Sequence, residues 1–244
     1  MKIAGKFPDI RLRRVRKKGW IRRLVSENSL SINDLVLPIF VRDGKNKVEP
    51  IKSMPGVNRY SLDKLDSIMR KVQKYSIPMI ALFPYISKNK KNKFGTEALN
   101  KNNLICKSIK LIKKKYPKIG IMCDVALDPY TSHGHDGIIF NNKIDNDKTN
   151  KILVKQALIQ AEMGCDVISP SDMMDGRIGE IRKALDRKNF QDVCILSYAV
   201  KYASSFYGPF RDAVGSKINL KSDKKTYQMD YRNSNESLRE VALD

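Results

Sequence analysis

Five short apolar runs punctuate the chain, at residues 35–41, 79–83, 119–125, 167–170 and 193–200. They barely alternate with polar residues, as expected of strands buried on both faces. Between them lie longer stretches with apolar residues at helical spacing, residues 62–75, 103–116, 148–163 and, more briefly, 178–186. This repeated strand–helix succession predicts a parallel sheet covered by helices. The polar, chemically capable residues stand where the runs end. Asp124 and Asp128 follow the third run, Ser171 and Asp172 the fourth, and Tyr198 and Lys201 close the fifth. Chemistry gathered from several strand ends is the habit of a (β/α)8 barrel. An open doubly wound sheet concentrates it at one switch point, and no GxGxxG follows a strand here. The predicted fold class is therefore α/β, a TIM barrel of which about five of the eight strands are present. After Arg211 the pattern becomes a loop, then a helix from residue 234 or 236. That helix is still running at Asp244 without a C-cap signal, so the barrel is expected to be incomplete in this chain.

Composition narrows the class. Of the 244 residues 41% are hydrophobic, enough for a sizeable core, and 30% are charged. No apolar run approaches the roughly 18 residues that span a bilayer. The basic stretch 1–20 lacks the apolar segment of a secretory signal, so a cytoplasmic location is expected. Cys106, Cys123, Cys165 and Cys194 show no CxxC spacing and are read as buried, reduced thiols. Lys and Arg exceed Asp and Glu by 47 to 26, a net charge of +21. A basic nucleic-acid-binding module without catalysis is the alternative that this charge raises. However, the excess is mostly Lys, scattered among Asn-rich loops such as 88–93 and on the stretch 113–115, which reads as solvated faces. RNA readers more often interleave Arg with aromatics.

Four groups of residues carry candidate chemistry. Lys201 leaves an apolar strand, where desolvation disfavours the ammonium; a neutral amine can attack a ketone and form an imine. The alternative is a lysine snorkelling out of the barrel mouth. The stretch 123–137 holds Asp124, Asp128, His133, His135 and Asp136 beside a strand end, suited to proton shuttling or a hard cation, or else a loop of turn formers. Ser171 and Asp172 are candidates for substrate hydrogen bonds, or for capping the next helix. Arg211 in Gly208-Pro-Phe-Arg, and the pair Lys224-Lys225, could clamp a carboxylate.

Together these stretches closely resemble the porphobilinogen synthase (5-aminolevulinate dehydratase) family. The resemblance runs from Arg11 to Asp244 through the blocks 34–41, 53–57, 82–84, 95–98, the aspartate cluster, 169–177 and 201–213. It implies a (β/α)8 barrel with an N-terminal arm at 1–34 for subunit contacts and a catalytic barrel at 35–244. It also implies condensation of two 5-aminolevulinate molecules to porphobilinogen with loss of water, in tetrapyrrole and haem synthesis. Lys201 falls on the lysine that holds the A-side substrate as a Schiff base. Arg211 and Lys224 (or Lys225, one residue on) fall on its carboxylate binders, joined by Gln228. Asp124, Ser171 and Tyr198 match residues around the reacting amine and imine.

Two departures from the family pattern matter. Zinc-dependent members carry three cysteines where this chain has Ala126, Asp128 and Asp136, so the soft zinc ligands are gone. The resemblance is to the aspartate-rich branch, where Asp128 and Asp136 line the substrate pocket. There Mg2+ acts at a separate allosteric site, and Glu240 falls on its glutamate. The second Schiff-base lysine lies about a dozen residues beyond Glu240 in the family and is absent from these 244 residues, so the chain alone is expected to be inactive. The family's octamer is the expected assembly of the full-length protein.

Overall fold

In the second of the two compact units into which the chain divides, Met1–Asp34 and Leu35–Asp244, each apolar run nucleates a strand. The computed structural model describes residues 5–216 and 223–244. The elements of this unit are β1 (Val36–Arg42), β2 (Val48–Pro50), β3 (Asn58–Tyr60), α1 (Leu65–Lys74), β4 (Met79–Tyr85), α2 (Leu104–Lys115) and β5 (Gly120–Val125). They continue with β6 (Ile138–Phe140), β7 (Lys143–Asp145), α3 (Asn146–Glu162), β8 (Val167–Pro170), α4 (Arg177–Arg187), β9 (Cys194–Ile195), α5 (Gly208–Ala213) and α6 (Ser234–Leu243). The first unit holds a 3-10 turn at Leu12–Arg16, a six-residue helix at Gly19–Leu24 and a 3-10 turn at Ile32–Asp34. Its described apolar side chains Phe7, Leu12, Trp20, Leu24 and Leu30 are exposed.

The main sheet runs β2-β3-β1-β4-β5-β8-β9. Strands β1, β4, β5, β8 and β9 are parallel neighbours in chain order, the succession of a barrel wall rather than of a doubly wound sheet. Alternate residues go to opposite faces. Ile39, Val41, Ile80, Leu82, Ile121 and Cys123 pack under the helices, while Phe40, Ala81, Phe83 and Met122 form a second cluster with Ile51, Ala213 and Val214. Both faces are thus apolar, which is why the runs lack alternation. The helices bury stripes at helical spacing, such as Leu65, Met69 and Val72 on α1. Asn103 caps α2 by accepting from Cys106 N (2.9 Å), and Asp145 caps α3 through Lys148 N (2.9 Å).

Several expectations need correction. The fifth run was expected to be a strand over 193–200, but its ladder is assigned only at β9. The N–H groups of Cys194, Leu196 and Tyr198 still donate in turn to the carbonyls of Asp166, Ile168 and Pro170, at 3.0, 2.9 and 3.2 Å. The chain therefore follows β8 to the end of the run, but the reciprocal bonds that define a strand lapse. Cys194 is exposed, unlike the other three cysteines, because it lies in the last strand of the described sheet. The hairpin β6–β7 was not anticipated; Asn141 and Asn142 take positive φ (48° and 60°) at its tip, the conformation of a tight two-residue turn. Nor are the lysines of 88–93 and 113–115 only solvated faces. Lys90, Lys113 and Lys115 pair with Asp43, Asp166 and Asp66, and Lys91 donates to Gly215 O. Among the described residues no helix is long and apolar enough to cross a membrane.

Candidate active site

The face alternation of β5 decides the site. Met122 points to the cluster with Phe40 and Phe83, so Asp124, two residues on, reaches the same face at the carboxyl end of the strand. There it lines a cavity of about 100 Å3 with Asp128, Ser171, Tyr198, Lys201, Arg211 and Lys224, walled by Phe83, Pro129, Tyr207, Phe210 and Val214. Seven of the nine residues singled out from sequence for catalysis or substrate binding meet on this cavity's wall: Asp124, Asp128, Ser171, Tyr198, Lys201, Arg211 and Lys224. Asp136 lies behind Lys224.

Lys201 is 8% exposed, and its Nζ donates to the Ser171 carbonyl. The rings of Tyr198 and Tyr207 stand 5.8 and 5.5 Å from it. Asp124, half-buried, lines the cavity, and its inaccessible Oδ1 has no hydrogen-bond partner among the described residues. Burial pushes its carboxyl up to about 7, against the pull of the Lys201 charge. Burial also lifts the Tyr198 phenol to about 12, keeping it a neutral hydrogen-bond donor.

The second charged group is a buried triad. Lys224 Nζ lies 2.9 Å from Asp136 Oδ1 and 3.5 Å from Asp128 Oδ2. Burial alone would raise both carboxyls. For Asp136 the cations Lys224 and Lys201 outweigh burial and hold it below the ordinary range, whereas Asp128, beside Asp136, stays raised. Burial would also discharge Lys224, but the two carboxylates reverse this and raise it, so Lys224 is an ammonium. Lys225 is exposed, 3.8 Å from Asp223, and does not reach the cavity.

Other expected members of the site are elsewhere. Gln228 lies on the wall of a second, larger cavity of about 840 Å3, together with His135, Asp175, Glu236 and Glu240. Met229 N bonds Lys201 O at 3.0 Å and Gln228 N bonds Lys224 O at 2.9 Å; these bonds tie the backbone at Gln228–Met229 to both lysines. Asp172 neither lines this cavity nor caps α4, whose N-cap is Gly176: Oδ1 accepts from Met174 N (2.7 Å) and Oδ2 stands 3.5 Å from Arg177 Nε. The two histidines staple the loop after β5. His133 meets Lys93 O at 3.2 Å, and His135 meets the Tyr227 hydroxyl at 3.1 Å, which also accepts from Asp136 N. Neither lines the Lys201 cavity. Sequence reasoning passed over Phe83, Tyr207 and Phe210. Phe210 was visible as the neighbour of Arg211 in Gly-Pro-Phe-Arg; its ring packs edge-on to Phe83 and Phe40, with centroids at 4.7 and 5.3 Å, and seats α5 over the strands.

A lysine and a carboxyl of near-neutral pKa beyond the carboxyl ends of parallel strands, with the cations Arg211 and Lys224 on the same cavity, define a barrel enzyme suited to a carbonyl compound that bears a negative charge. The comparisons narrow this. The family model for delta-aminolevulinic acid dehydratase matches residues 9–244, and the chain belongs to that family. It is 56% identical over 235 residues to the delta-aminolevulinic acid dehydratase of Bradyrhizobium diazoefficiens, covering 96% of this chain and 67% of that protein. It is 46% identical to the Chlamydia pneumoniae enzyme, with 96% and 70% covered. Among solved structures, the Toxoplasma gondii enzyme, crystallised with its reaction product porphobilinogen, superposes with a TM-score of 0.92 at 44% identity, covering 96% of this chain and 67% of that one.

Proposed function

We propose that Lys201 binds one 5-aminolevulinate as an imine in the reaction of this family, the hydro-lyase condensation of two 5-aminolevulinate molecules to porphobilinogen with loss of water. In this reading the Lys201 amine adds to the substrate ketone, and the carbinolamine then expels water to leave an iminium. Both steps move protons at the same atoms. Asp124, poised near neutrality with a free Oδ1, accepts and returns them. The Ser171 carbonyl takes one N–H of Lys201, orienting the rest of the amine. Tyr198, kept neutral, donates to the departing oxygen. Arg211, which makes no ion pair among the described residues, and the third N–H of Lys224 receive the substrate carboxylate. The observation that carries this reading is that Lys201 and Asp124 line one cavity, with the Lys201 charge acting on the Asp124 carboxyl. Borohydride reduction in the presence of 5-aminolevulinate tests it: a single adduct should map to Lys201 by peptide mass spectrometry, and an adduct elsewhere, or none, would sink the assignment.

The donor set at 126, 128 and 136 does not suit zinc. Ala126 offers no ligand, and the two carboxylates already hold the Lys224 ammonium. A magnesium ion at Glu240 fits better. Burial and the neighbouring carboxylates of Asp175, Asp244 and Glu236 raise the Glu240 carboxyl, outweighing Arg177. Such an acidic group gains from a hard cation that keeps most of its waters. When bound, the ion supplies charge compensation at this remote site. The unit Met1–Asp34, with its apolar side chains exposed, serves contacts with other copies in an octamer of the cytoplasmic enzyme.

A further inference from the structure

We infer that Arg59 is a positioning residue for Arg211, so that a guanidinium outside the cavity sets the enzyme's preference for a carboxylate-bearing substrate. This rests on the reading of Arg211 as the carboxylate binder. Arg211 sits in α5, a helix of six residues, too short to hold itself in place. What holds it comes from far away in sequence. Arg59, on β3 and 7% exposed, donates through Nε to Ala213 O (2.7 Å) and through Nη2 to Asp212 O (2.6 Å). These are carbonyls at the carboxyl end of α5; Asp212 O also accepts from Gly215 N (3.1 Å), while Ala213 O is among those that helical bonding leaves open. A buried cation there meets the negative end of the helix as well as two acceptors. The guanidinium is itself fixed, with Nη1 2.5 Å from Glu49 Oε1 and its plane over the Tyr85 ring at 4.3 Å. Glu49 is in turn paired with Arg42.

Two further contacts act on the same segment. Ser53 Oγ donates to Asp212 Oδ2 at 2.6 Å. The Tyr85 ring packs so close to Gly215 (φ +68°) that a Cβ there would stand 2.6 Å from it. Arg59 thus supplies the charge-assisted link between the β3–β1–β4 edge of the sheet and the one helical turn that carries Arg211 and Phe210. Arg59 itself does not line the Lys201 cavity, so its effect reaches the cavity through this segment, where Arg211 is the charged group and Phe210 and Val214 are apolar wall.

The test is borohydride trapping on Lys201, titrated with 5-aminolevulinate and with aminoacetone, which has the same aminoketone but no carboxylate. In the wild type the first compound half-saturates trapping at the lower concentration. Arg59→Met should narrow that advantage by about tenfold, as expected for lost hydrogen bonds to a charged group, while leaving aminoacetone trapping unchanged. Arg59→Lys, which keeps the charge and one donor, should fall between. Arg211→Gln should show the same narrowing, and the Arg59→Met/Arg211→Gln double variant no more than Arg211→Gln alone. If both Arg59 variants keep the full advantage while Arg211→Gln loses it, the positioning role is wrong and the Arg211 reading stands. Equal weakening for both compounds in Arg59→Lys also overturns the role, since it would mark a general structural defect. If Arg211→Gln keeps the advantage, the carboxylate reading itself fails.

Discussion

Replacing Asp124 by Asn separates the cost of this carboxyl from its use. In the folded chain burial raises Asp124 from 3.8 to about 7. The native state therefore holds the proton more tightly than the unfolded chain does. Between pH 4 and 7 the native state binds more protons, so stability falls as pH rises through that window; the penalty is absent below pH 4 and complete above 7. The rise corresponds to at most about 4 kcal/mol, at 1.36 kcal/mol for each tenfold change in proton affinity. Asn keeps the shape without the charge and should escape this penalty. Urea unfolding of both proteins at intervals from pH 5 to pH 8 measures it. The Asn variant should gain on the wild type as pH rises towards 7 and then level off, at up to about 4 kcal/mol by pH 8. Because the comparison is made at each pH, the other titrating groups, such as Asp172 at about 6, cancel. A stability difference that is flat across the range, or a variant less stable than wild type at pH 8, would refute the reasoning. The same substitution should slow imine formation about 100-fold or more, the usual contribution of a positioned acid–base group.

Other outcomes follow from the same geometry. Lys201→Arg should abolish the borohydride adduct while retaining the fold, because a guanidinium is not a nucleophile near neutral pH; circular dichroism and mass spectrometry together check this. Lys224→Met strands Asp128 and Asp136 as buried carboxylates, so it should destabilise the chain by about 3–5 kcal/mol; the additional substitution Asp136→Asn should recover part of that loss in urea unfolding. With Lys224 held as an ammonium by its two carboxylates, Lys201 is the one amine among the described residues of the cavity that is set up for imine chemistry. The 244-residue chain alone should therefore take up one substrate covalently and form no porphobilinogen, a result that a colorimetric product assay would overturn by detecting turnover. Millimolar Mg2+ should raise the melting temperature of the wild type but not of Glu240→Gln, as differential scanning calorimetry can measure.

Much of this protein was legible in the order of its residues because the barrel's physics is local. A strand buried on both faces must read as an unbroken apolar run, and it did for β1, β4, β5 and β8, whose strands start within a residue of those runs. The chemistry at strand ends was legible for the same reason: an Asp or Lys directly after such a run is carried to the rim whatever the rest of the chain does. Ladder pairing escaped the reading. Whether residues 196–200 count as strand depends on reciprocal bonds with neighbours far along the chain, and periodicity carries no trace of them. The hairpin β6–β7 was hidden by its shortness, though its Asn-Asn turn was the available sign.

What only the tertiary structure decided was which polar groups share a space and which charges they bear. Asp124, Asp128 and Asp136 look alike in sequence, yet burial raises the first two, while at Asp136 the cations Lys224 and Lys201, from residues far downstream, outweigh burial and lower it. His133 and His135, equally prominent in the sequence, turned to the loop. Arg59 gave no signal at all beyond being an arginine on a short segment. Periodicity and strand ends are properties of neighbours along the chain, whereas proton affinity and side-chain anchoring are set by whatever the fold brings within a few ångströms, and burial makes those few groups dominate.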